Sequence, residues 1–306
     1  MSGRRTSLVL QLLSVAVWAA GYFLLTPEDR VQWSSESLWQ ILAFACYAAA
    51  ALFVNGFHLF ERRVHWLAAV YMWLVALSLH AHANMVYAVS SLLFVVSLTL
   101  LFACVQADDT RRSLYSAFAM VGLSAFLTPM HLYLLPLFII YMFIANIFSI
   151  KNFVAALLGV FTPFWLFFGT VYVFPEAAAV LKLFKDGAGQ LFVFELAEPS
   201  LLLLAASVLE LMLLLPAVAI FAGSSSPAKP LLRRRLQFIM VLNFSLLLLS
   251  WVVSENFGLF YMWCLPGVAI LGSYLFTARI SRVMNIYFAL VNILWILLAV
   301  YSVWTV

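Results

Sequence analysis

Long apolar runs separated by short polar stretches follow one another along the whole chain. A helix that crosses a bilayer needs about 20 mostly apolar residues. We predict a transmembrane helix for each of eleven segments: 7–25, 38–60, 64–79, 85–105, 114–127, 131–149, 153–174, 200–222, 236–253, 259–276 and 284–304. The pattern therefore predicts an all-α, polytopic transmembrane bundle that forms a single domain over residues 1–306.

The pair 114–127 and 131–149 is the weakest of these predictions. The first segment is short, and Thr128-Pro129 interrupts the apolar run that follows it. A re-entrant hairpin that dips in from the cytoplasm would explain the shortness and would leave both ends inside. We favour two full crossings and keep the hairpin as the alternative.

The basic residues predict the orientation, because Lys and Arg favour the cytoplasmic side of a membrane protein. With the N-terminus inside, thirteen of the 16 Lys and Arg residues face the cytoplasm, and only Arg30, Lys182 and Lys185 lie outside. After eleven crossings the C-terminus is periplasmic. Arg4 and Arg5 precede the first run as in a secretory signal, but no small-residue cleavage site stands out. We interpret that run as a retained helix.

Two connections are longer than turns. Residues 175–199 carry Lys182, Lys185 and Asp186 among apolar positions, and we predict a short helix in the outer interface. A structural cap is the favoured role for it, and a substrate-guiding lid is the alternative. Residues 223–235, GSSSPAKPLLRRR, predict a Ser/Pro linker and a basic anchor for anionic headgroups, with a phosphate-binding site as the alternative.

Composition supports a membrane location. Of the residues, 66% are hydrophobic and 9% are charged, whereas soluble domains have about 25% charged residues. The net charge of +4 reflects where the arginines lie, so the lipid bilayer is the predicted partner and nucleic acid is not. Cys46, Cys104 and Cys264 are far apart and show no CxxC spacing, which favours buried, inert thiols and neither a metal nor another cofactor.

Polar side chains inside a bilayer must find partners, so each is a functional candidate. Glu210, in ASVLELMLL, is the formal charge nearest the middle of a predicted span. We expect a protonated or hydrogen-bonded carboxyl, with a proton or cation relay and substrate contact as alternatives. Four further residues lie near cytoplasmic helix ends, where interhelical hydrogen bonding is favoured over a shared polar cavity: Asn55, His58, Asn243 and Asn292.

A second polar group falls at predicted outer helix ends: His80, His82, Asn84, His131, Glu255 and Asn256. His80 and His82 would point the same way in an extended turn, as metal ligands must. Zinc needs a third or fourth ligand, and His131 or Glu255 would supply it only if the loops converge. A wet interfacial position is the favoured interpretation for the histidines, followed by headgroup or substrate contact.

Three stretches resemble an uncharacterised family of polytopic inner-membrane proteins of about this length from Bacteroidota. They are LFVNGFHLFERRVHWLAAVYMWLVALSLHAHANMVYAVSSLLFVVSL, the region from Gly122 to Pro136, and IKNFVAALLGVFTPFWLFFGTVYVF. The resemblance covers roughly residues 50–175. The family usually has His-Pro where this chain has His80-Ala81, and often Arg-Glu where it has Lys151-Asn152. The resemblance implies the inner membrane of a diderm bacterium and implies no activity.

Three functions fit these features, and the sequence leaves open whether the protein is an enzyme. The favoured hypothesis is envelope biogenesis with a lipid or lipid-linked glycan substrate, handled by the outer polar group and residues 175–199. The second is a small-solute or proton-coupled transporter whose path is lined by Glu210 and the inner-leaflet amides. The third is a non-enzymatic membrane subunit or scaffold.

Overall fold

A computed structural model describes residues 13–17, 35–55, 65–78, 85–107, 109–174, 189, 191, 201–223, 230–253, 256–277 and 282–305. Besides a helical stretch at 13–17, this part of the chain contains ten α-helices and one 3-10 helix. The helices are α1 Ser35–Asn55, α2 His65–Leu77, α3 Met85–Ala103, α4 Thr110–Leu127, the 3-10 helix Pro129–Tyr133, α5 Leu134–Ile144, α6 Ile150–Val173, α7 Leu201–Gly223, α8 Pro230–Val252, α9 Phe257–Thr277 and α10 Arg282–Thr305. The prediction of an all-helical chain is confirmed.

Three helices in the described ranges are long and apolar enough to cross a membrane: Met85–Ala103, Ile150–Val173 and Pro230–Val252. Shorter apolar helical segments accompany them between Ile41 and Tyr301. Of the first predicted span, 7–25, only residues 13–17 lie in the described ranges, and of the interfacial segment 175–199 only 189 and 191 do.

The boundaries differ most from the prediction at polar helix ends. Residues 230–235, expected to end a linker, form the first turns of α8, because Pro230 suits a first helical position and arginine is a good helix former. In α4, Asp109 accepts hydrogen bonds from the backbone N–H groups of Arg111 and Arg112, so the helix starts four residues earlier than hydropathy predicts. The segment 131–149 was predicted too long, since α5 ends before Asn146, whose φ of 57° is left-handed.

Helix α9 is the central helix of the bundle. Its side chains from Phe257 to Ser273 are all buried, and it packs against α2, α3, α7 and α8. A helix that is apolar on every side is stable only when protein or lipid surrounds it completely. Here neighbouring helices surround it, so each polar group on α9 faces protein.

Helices α4 and α6 cross closely, and glycine permits this approach. A Cβ atom on Gly122 would lie 2.5 Å from the Val160 carbonyl oxygen, and one on Gly159 would lie 2.4 Å from the Tyr115 oxygen. The Phe126 ring then lies 4.7 Å from both the Phe164 and Phe167 rings, centroid to centroid. These contacts advance in the same direction along both helices, so α4 and α6 run parallel.

Large apolar side chains cover the outer faces of α6 and α10. Trp165 is 79% exposed and Tyr172 is 90% exposed on α6, and Ile286 and Val300 are exposed on α10. Soluble proteins rarely present an apolar surface of this extent. Hydrocarbon is the environment in which such a surface is stable.

Arginine side chains join three helix ends at one end of the bundle. Arg235, 4% exposed, donates from a terminal nitrogen to the Phe102 carbonyl oxygen at 2.7 Å and to Gln106 Oε1 at 3.3 Å. Arg234 donates to the Ala145 carbonyl oxygen at 3.0 Å. The last carbonyls of a helix lack intrahelical partners and carry the negative end of the helix dipole, so both arginines cap the C-terminal ends of α3 and α5.

The glycine crossing generates a stability prediction. We expect Gly122→Ala and Gly159→Ala each to lower the free energy of unfolding by about 1–3 kcal/mol, because backbone atoms must move apart. Gly169→Ala on α6 is the matched control, since no atom lies within 4 Å of its Cβ position. Thermal unfolding of the purified variants in detergent measures the difference. Equal midpoints for all three variants would show that the crossing contributes no stability.

Candidate functional site

The outer polar group is only partly within the described ranges. His80, His82, Asn84 and Glu255 lie outside them. His131 belongs to the 3-10 helix and is completely buried. Asn256 is partly buried, and its Nδ2 atom has no hydrogen-bond partner within the described ranges. No group of three His, Cys, Asp or Glu side chains placed to hold a metal occurs in this part of the chain.

His131 lies in a buried hydrogen-bond chain, so the expected wet interfacial position is wrong for this residue. Trp263 Nε1 of α9 donates to Ser90 Oγ of α3 at 3.2 Å. Ser90 Oγ lies 3.3 Å from His131 Nε2, and His131 Nδ1 lies 3.0 Å from the Thr128 carbonyl oxygen. The turn at Thr128-Pro129 directs the imidazole inward, which hydropathy does not predict.

One neutral tautomer satisfies every group in this chain. The Nδ1–H group of His131 donates to Thr128, and Nε2 accepts from the Ser90 hydroxyl, which accepts from Trp263. An imidazolium would carry an unpaired charge in the interior, which is costly. Because both ring nitrogens are engaged, His131 serves as an interhelical link and is not available as a zinc ligand.

Aromatic rings enclose this link on one face of α9. Trp263 stacks on Phe94 at a centroid distance of 5.6 Å, and its edge contact with Phe260 is at 5.5 Å. The His131 ring lies 4.5 Å from the Trp263 ring. Phe260 and Trp263 are three residues apart and therefore share a face. The side chains of Trp263, Ser90 and His131 are buried and form a continuous hydrogen-bond chain.

A second polar cluster lies on another face of α9, against α7. It consists of Glu210, Tyr261, Cys264 and Trp295, and we call it the Glu210 cluster. The Glu210 carboxyl is completely buried, and Cys264 and Tyr261 face it. Neither carboxyl oxygen has a partner at hydrogen-bond distance and angle within the described ranges, although the Cys264 thiol is adjacent.

Trp295 of α10 completes the cluster. Its ring lies at 28° to the Tyr261 ring, with centroids 6.2 Å apart, and the Phe257 ring also stacks on Tyr261, at 5.7 Å. The buried Trp295 Nε1–H group has no acceptor in the described part of the chain. Buried polar groups are almost always hydrogen-bonded in native proteins. Glu210 and Trp295 are two such groups within one cluster, which makes it a candidate for a site that acts on a proton or a ligand.

No family model, no curated protein and no solved structure matches this chain. The described side chains therefore carry the functional argument. Their geometry separates a closed link around His131 from an unsatisfied cluster around Glu210.

The remaining predicted intramembrane residues lie in different environments. His58 and the side chain of Asn55 are outside the described ranges, and Asn292 is partly buried on α10. Asn243 of α8 is buried, and its Nδ2 donates to the Ile239 carbonyl oxygen of its own helix at 2.8 Å. This bond lies within one helix, whereas a bond between helices was predicted. Its amide occupies the space above Gly267, where a Cβ would lie 1.8 Å from Nδ2.

Asn243 adds another buried polar side chain beside α9. Gly267 is three residues beyond Cys264, which is about 4.5 Å further along the helix axis. The buried Asn243 Oδ1 atom has no partner in the described ranges. Asn243 Oδ1 is therefore one further buried polar atom without a partner in these ranges, and it lies beside α9.

Two contacts fix α7 on either side of Glu210. Trp251 Nε1 of α8 donates to Ser207 Oγ at 3.0 Å, and the Tyr287 hydroxyl of α10 donates to the Met212 carbonyl oxygen at 2.6 Å. Pro216 has no N–H group, so the Met212 carbonyl lacks its usual partner four residues later. Tyr287 supplies the missing donor, as neighbouring helices commonly do for proline in membrane helices.

Sequence reasoning found Glu210 and His131 but not their partners. Ser90, Trp263 and Cys264 are ordinary residues of apolar helices, and Ser90 lies 173 positions from Trp263. The one available signal was Trp263-Cys264-Leu265-Pro266-Gly267, where a proline and a glycine interrupt a long apolar helix. Such interruptions favour a kink or a close approach of another chain segment.

The His131 link generates a second stability prediction. Ser90→Ala removes the acceptor of the Trp263 N–H and the hydroxyl beside His131 Nε2, which keeps only the Ser90 carbonyl oxygen at 3.3 Å, and we expect a loss of about 1–3 kcal/mol in unfolding free energy. Ser97→Ala is the matched control, because Ser97 is equally buried on α3 and donates only to Phe94 of its own helix. We expect it to cost less than about 1 kcal/mol. Detergent-resistance or thermal melts compare the two, and equal losses would contradict the proposed link.

Proposed function

We propose that the chain is a multi-pass protein of a bacterial inner membrane, with a cytoplasmic N-terminus and eleven crossings. The arginines of α8 that cap α3 and α5 support this topology, because the charge pattern assigns all three of those helix ends to the cytoplasm. At the opposite end, Ser78 Oγ of α2 donates to the Met262 sulfur at 3.4 Å, and the charge pattern assigns both residues to the outer half. The Bacteroidota family resemblance is part of the same proposal.

Contacts along α3 favour two crossings over the re-entrant hairpin. The turn that follows α4 reaches Ser90, five residues from the start of α3, through His131. The end of α5 reaches Phe102, one residue from the last helical residue of α3, through Tyr141, whose ring centroid lies 5.4 Å away. The two contacts are twelve residues apart on α3, about 18 Å along its axis, so α5 and the turn before it lie along much of a helix that is long enough to cross a membrane.

Thiol labelling tests this topology. In a background with Cys46, Cys104 and Cys264 replaced by serine, we introduce Leu127→Cys or Ser149→Cys, both at exposed positions. We expect a membrane-impermeant maleimide to label position 127 only from the periplasmic side and position 149 only from the cytoplasmic side. Failure to label position 127 from the periplasm, with labelling after membrane permeabilisation, would favour the hairpin.

We further propose that the protein is a proton-coupled membrane transporter in which Glu210 exchanges a proton. The observation that supports this most is the completely buried carboxyl whose two oxygens lack hydrogen-bond partners in the described ranges. An ionised carboxylate inside a bilayer is costly, and residues of this kind mark proton relays and ion pathways.

The lipid-substrate hypothesis stays a prediction. Of the outer polar residues on which this hypothesis depends, His131 is the one whose side-chain hydrogen bonds are described. Its ring is hydrogen-bonded to Ser90, which in turn accepts from Trp263. His80, His82, Asn84 and Glu255 lie outside the described ranges, and so does most of residues 175–199. The scaffold hypothesis gains no specific support from the packing.

Replacement of the carboxyl tests the transporter proposal. In proteoliposomes with an entrapped pH dye, we expect Glu210→Gln to lower the rate of protein-dependent proton exchange by at least about tenfold, because an amide carries no exchangeable acid proton. Infrared difference spectra between acid and alkaline pH should lose one carboxylic acid band in the variant. Asp109→Asn is the matched control, since it makes the same replacement at the exposed N-cap of α4, where asparagine caps as well as aspartate.

We expect the wild-type protein to exchange protons in the same proteoliposomes. Proton exchange that persists unchanged in Glu210→Gln would contradict the proposal. So would a Glu210 band that stays the same between acid and alkaline pH.

A further inference from the structure

We propose that the Glu210 cluster binds a monovalent organic cation with apolar substituents, such as a protonated amine or a quaternary ammonium, in exchange for the proton. This inference rests on the proton-coupled function and names its substrate class. Three properties of the cluster support it: the charge of its only acidic group, its small number of oxygen atoms and its aromatic surroundings.

Charge excludes an anionic ligand. No contact joins a basic side chain to Glu210 in the described ranges, where the Lys and Arg residues lie at helix ends: Arg111, Arg112, Lys151, Arg233, Arg234, Arg235 and Arg282. A buried carboxylate needs a proton or an opposite charge beside it. When the proton leaves, a cation is the ligand that restores neutrality.

The donor set does not fit a hard metal ion. Calcium takes six to eight oxygen ligands, and magnesium requires an octahedral set. Besides the carboxyl, the residues facing Glu210 offer a thiol and a phenol, from Cys264 and Tyr261. An organic cation requires no such coordination shell, because its charge is spread over a larger apolar body.

Aromatic rings make the cluster suitable for the apolar part of an organic cation. Tyr261 faces the carboxyl, and the Phe257 and Trp295 rings both contact Tyr261. Faces of Trp and Tyr attract cations, and cages of such rings are a common means of binding quaternary ammonium groups. Carboxylate and rings together supply charge neutralisation and apolar contact in one place.

The described structure is the closed form of this site, since all four side chains of the cluster are buried. Entry of a ligand requires α7 and α9 to separate locally. Each of these helices carries a proline shortly after its cluster residue, Pro216 six positions after Glu210 and Pro266 two positions after Cys264. Proline removes an intrahelical hydrogen bond and is the usual position of a kink.

Competition between cation and proton makes binding depend on pH. The titratable groups that face Glu210 are Cys264 and Tyr261 of α9, while α10 presents Tyr287 to the neighbouring Met212 carbonyl and α8 presents Trp251 to Ser207. None of these is a carboxyl. Where the carboxyl is protonated, affinity should therefore rise by about tenfold per pH unit as the single competing proton is removed.

The test uses the purified full-length protein and tetraphenylphosphonium as the probe. We expect saturable binding, release of about one proton per bound cation in weakly buffered solution, and affinity that rises with pH. Glu210→Gln should weaken binding by more than about thirtyfold, because the charge partner is lost, whereas Asp109→Asn should bind as the wild type does. Tetraphenylborate has the same shape and the opposite charge, and it should not bind.

Each alternative outcome is distinguishable. Equal binding of tetraphenylphosphonium to Glu210→Gln, or equal binding of tetraphenylborate to the wild type, would overturn the cation site. If Glu210 exchanges protons but no tetraphenylphosphonium binds at any pH, the substrate class is wrong and the proton-coupled function stands. If the wild type exchanges no protons through Glu210, the proposed function fails first.

Discussion

The enclosure of α9 by other helices is the constraint on which the rest of the structure depends. Because protein surrounds its buried stretch from Phe257 to Ser273, water and lipid headgroups do not satisfy the polar groups there. Neighbouring helices must do so. On one face the neighbouring helices do so, since Trp263 donates to Ser90, and the Ser90 hydroxyl bonds to His131. On another face the Glu210 carboxyl has only the adjacent Cys264 thiol and no geometrically formed hydrogen bond within the described residues. The same helix thus has a rigid side and a side from which function is expected.

Close packing around this core depends on small residues and on capped helix ends. Gly267 admits the Asn243 amide against α9, as Gly122 and Gly159 admit the α4–α6 crossing. Without these glycines the helices would have to separate, and the interhelical hydrogen bonds would lengthen. Arg234 and Arg235 fix the ends of α3 and α5 to α8 through backbone carbonyls. Their role is therefore structural, which the charge pattern alone did not predict.

Hydropathy predicted the helices because lipid-facing and buried residues are both apolar, and that same fact limits what it predicts about the site. The α8 start at Pro230 was missed because arginines that cap other helices look like a polar loop. His131 was expected at the wet interface, and the 3-10 turn instead directs it inward. Glu210 stood out because a lone carboxyl in an apolar helix is costly. Its neighbours Tyr261, Cys264 and Trp295 did not, since they are compatible with any apolar core.

The two contacts that hold α7 constrain how Glu210 can move. Trp251 binds Ser207, three residues before the carboxyl, and Tyr287 binds Met212, two residues after it. The first contact lies toward one end of the bundle and the second toward the other. A motion that opens the carboxyl to one membrane surface must release the contact on that side, and the other contact then remains as a pivot. Because Tyr287 also satisfies the carbonyl freed by Pro216, the pivot lies where α7 bends most easily. Under the proposed proton-coupled function, alternate release of the two contacts is the motion that would expose a single buried acid to each surface in turn.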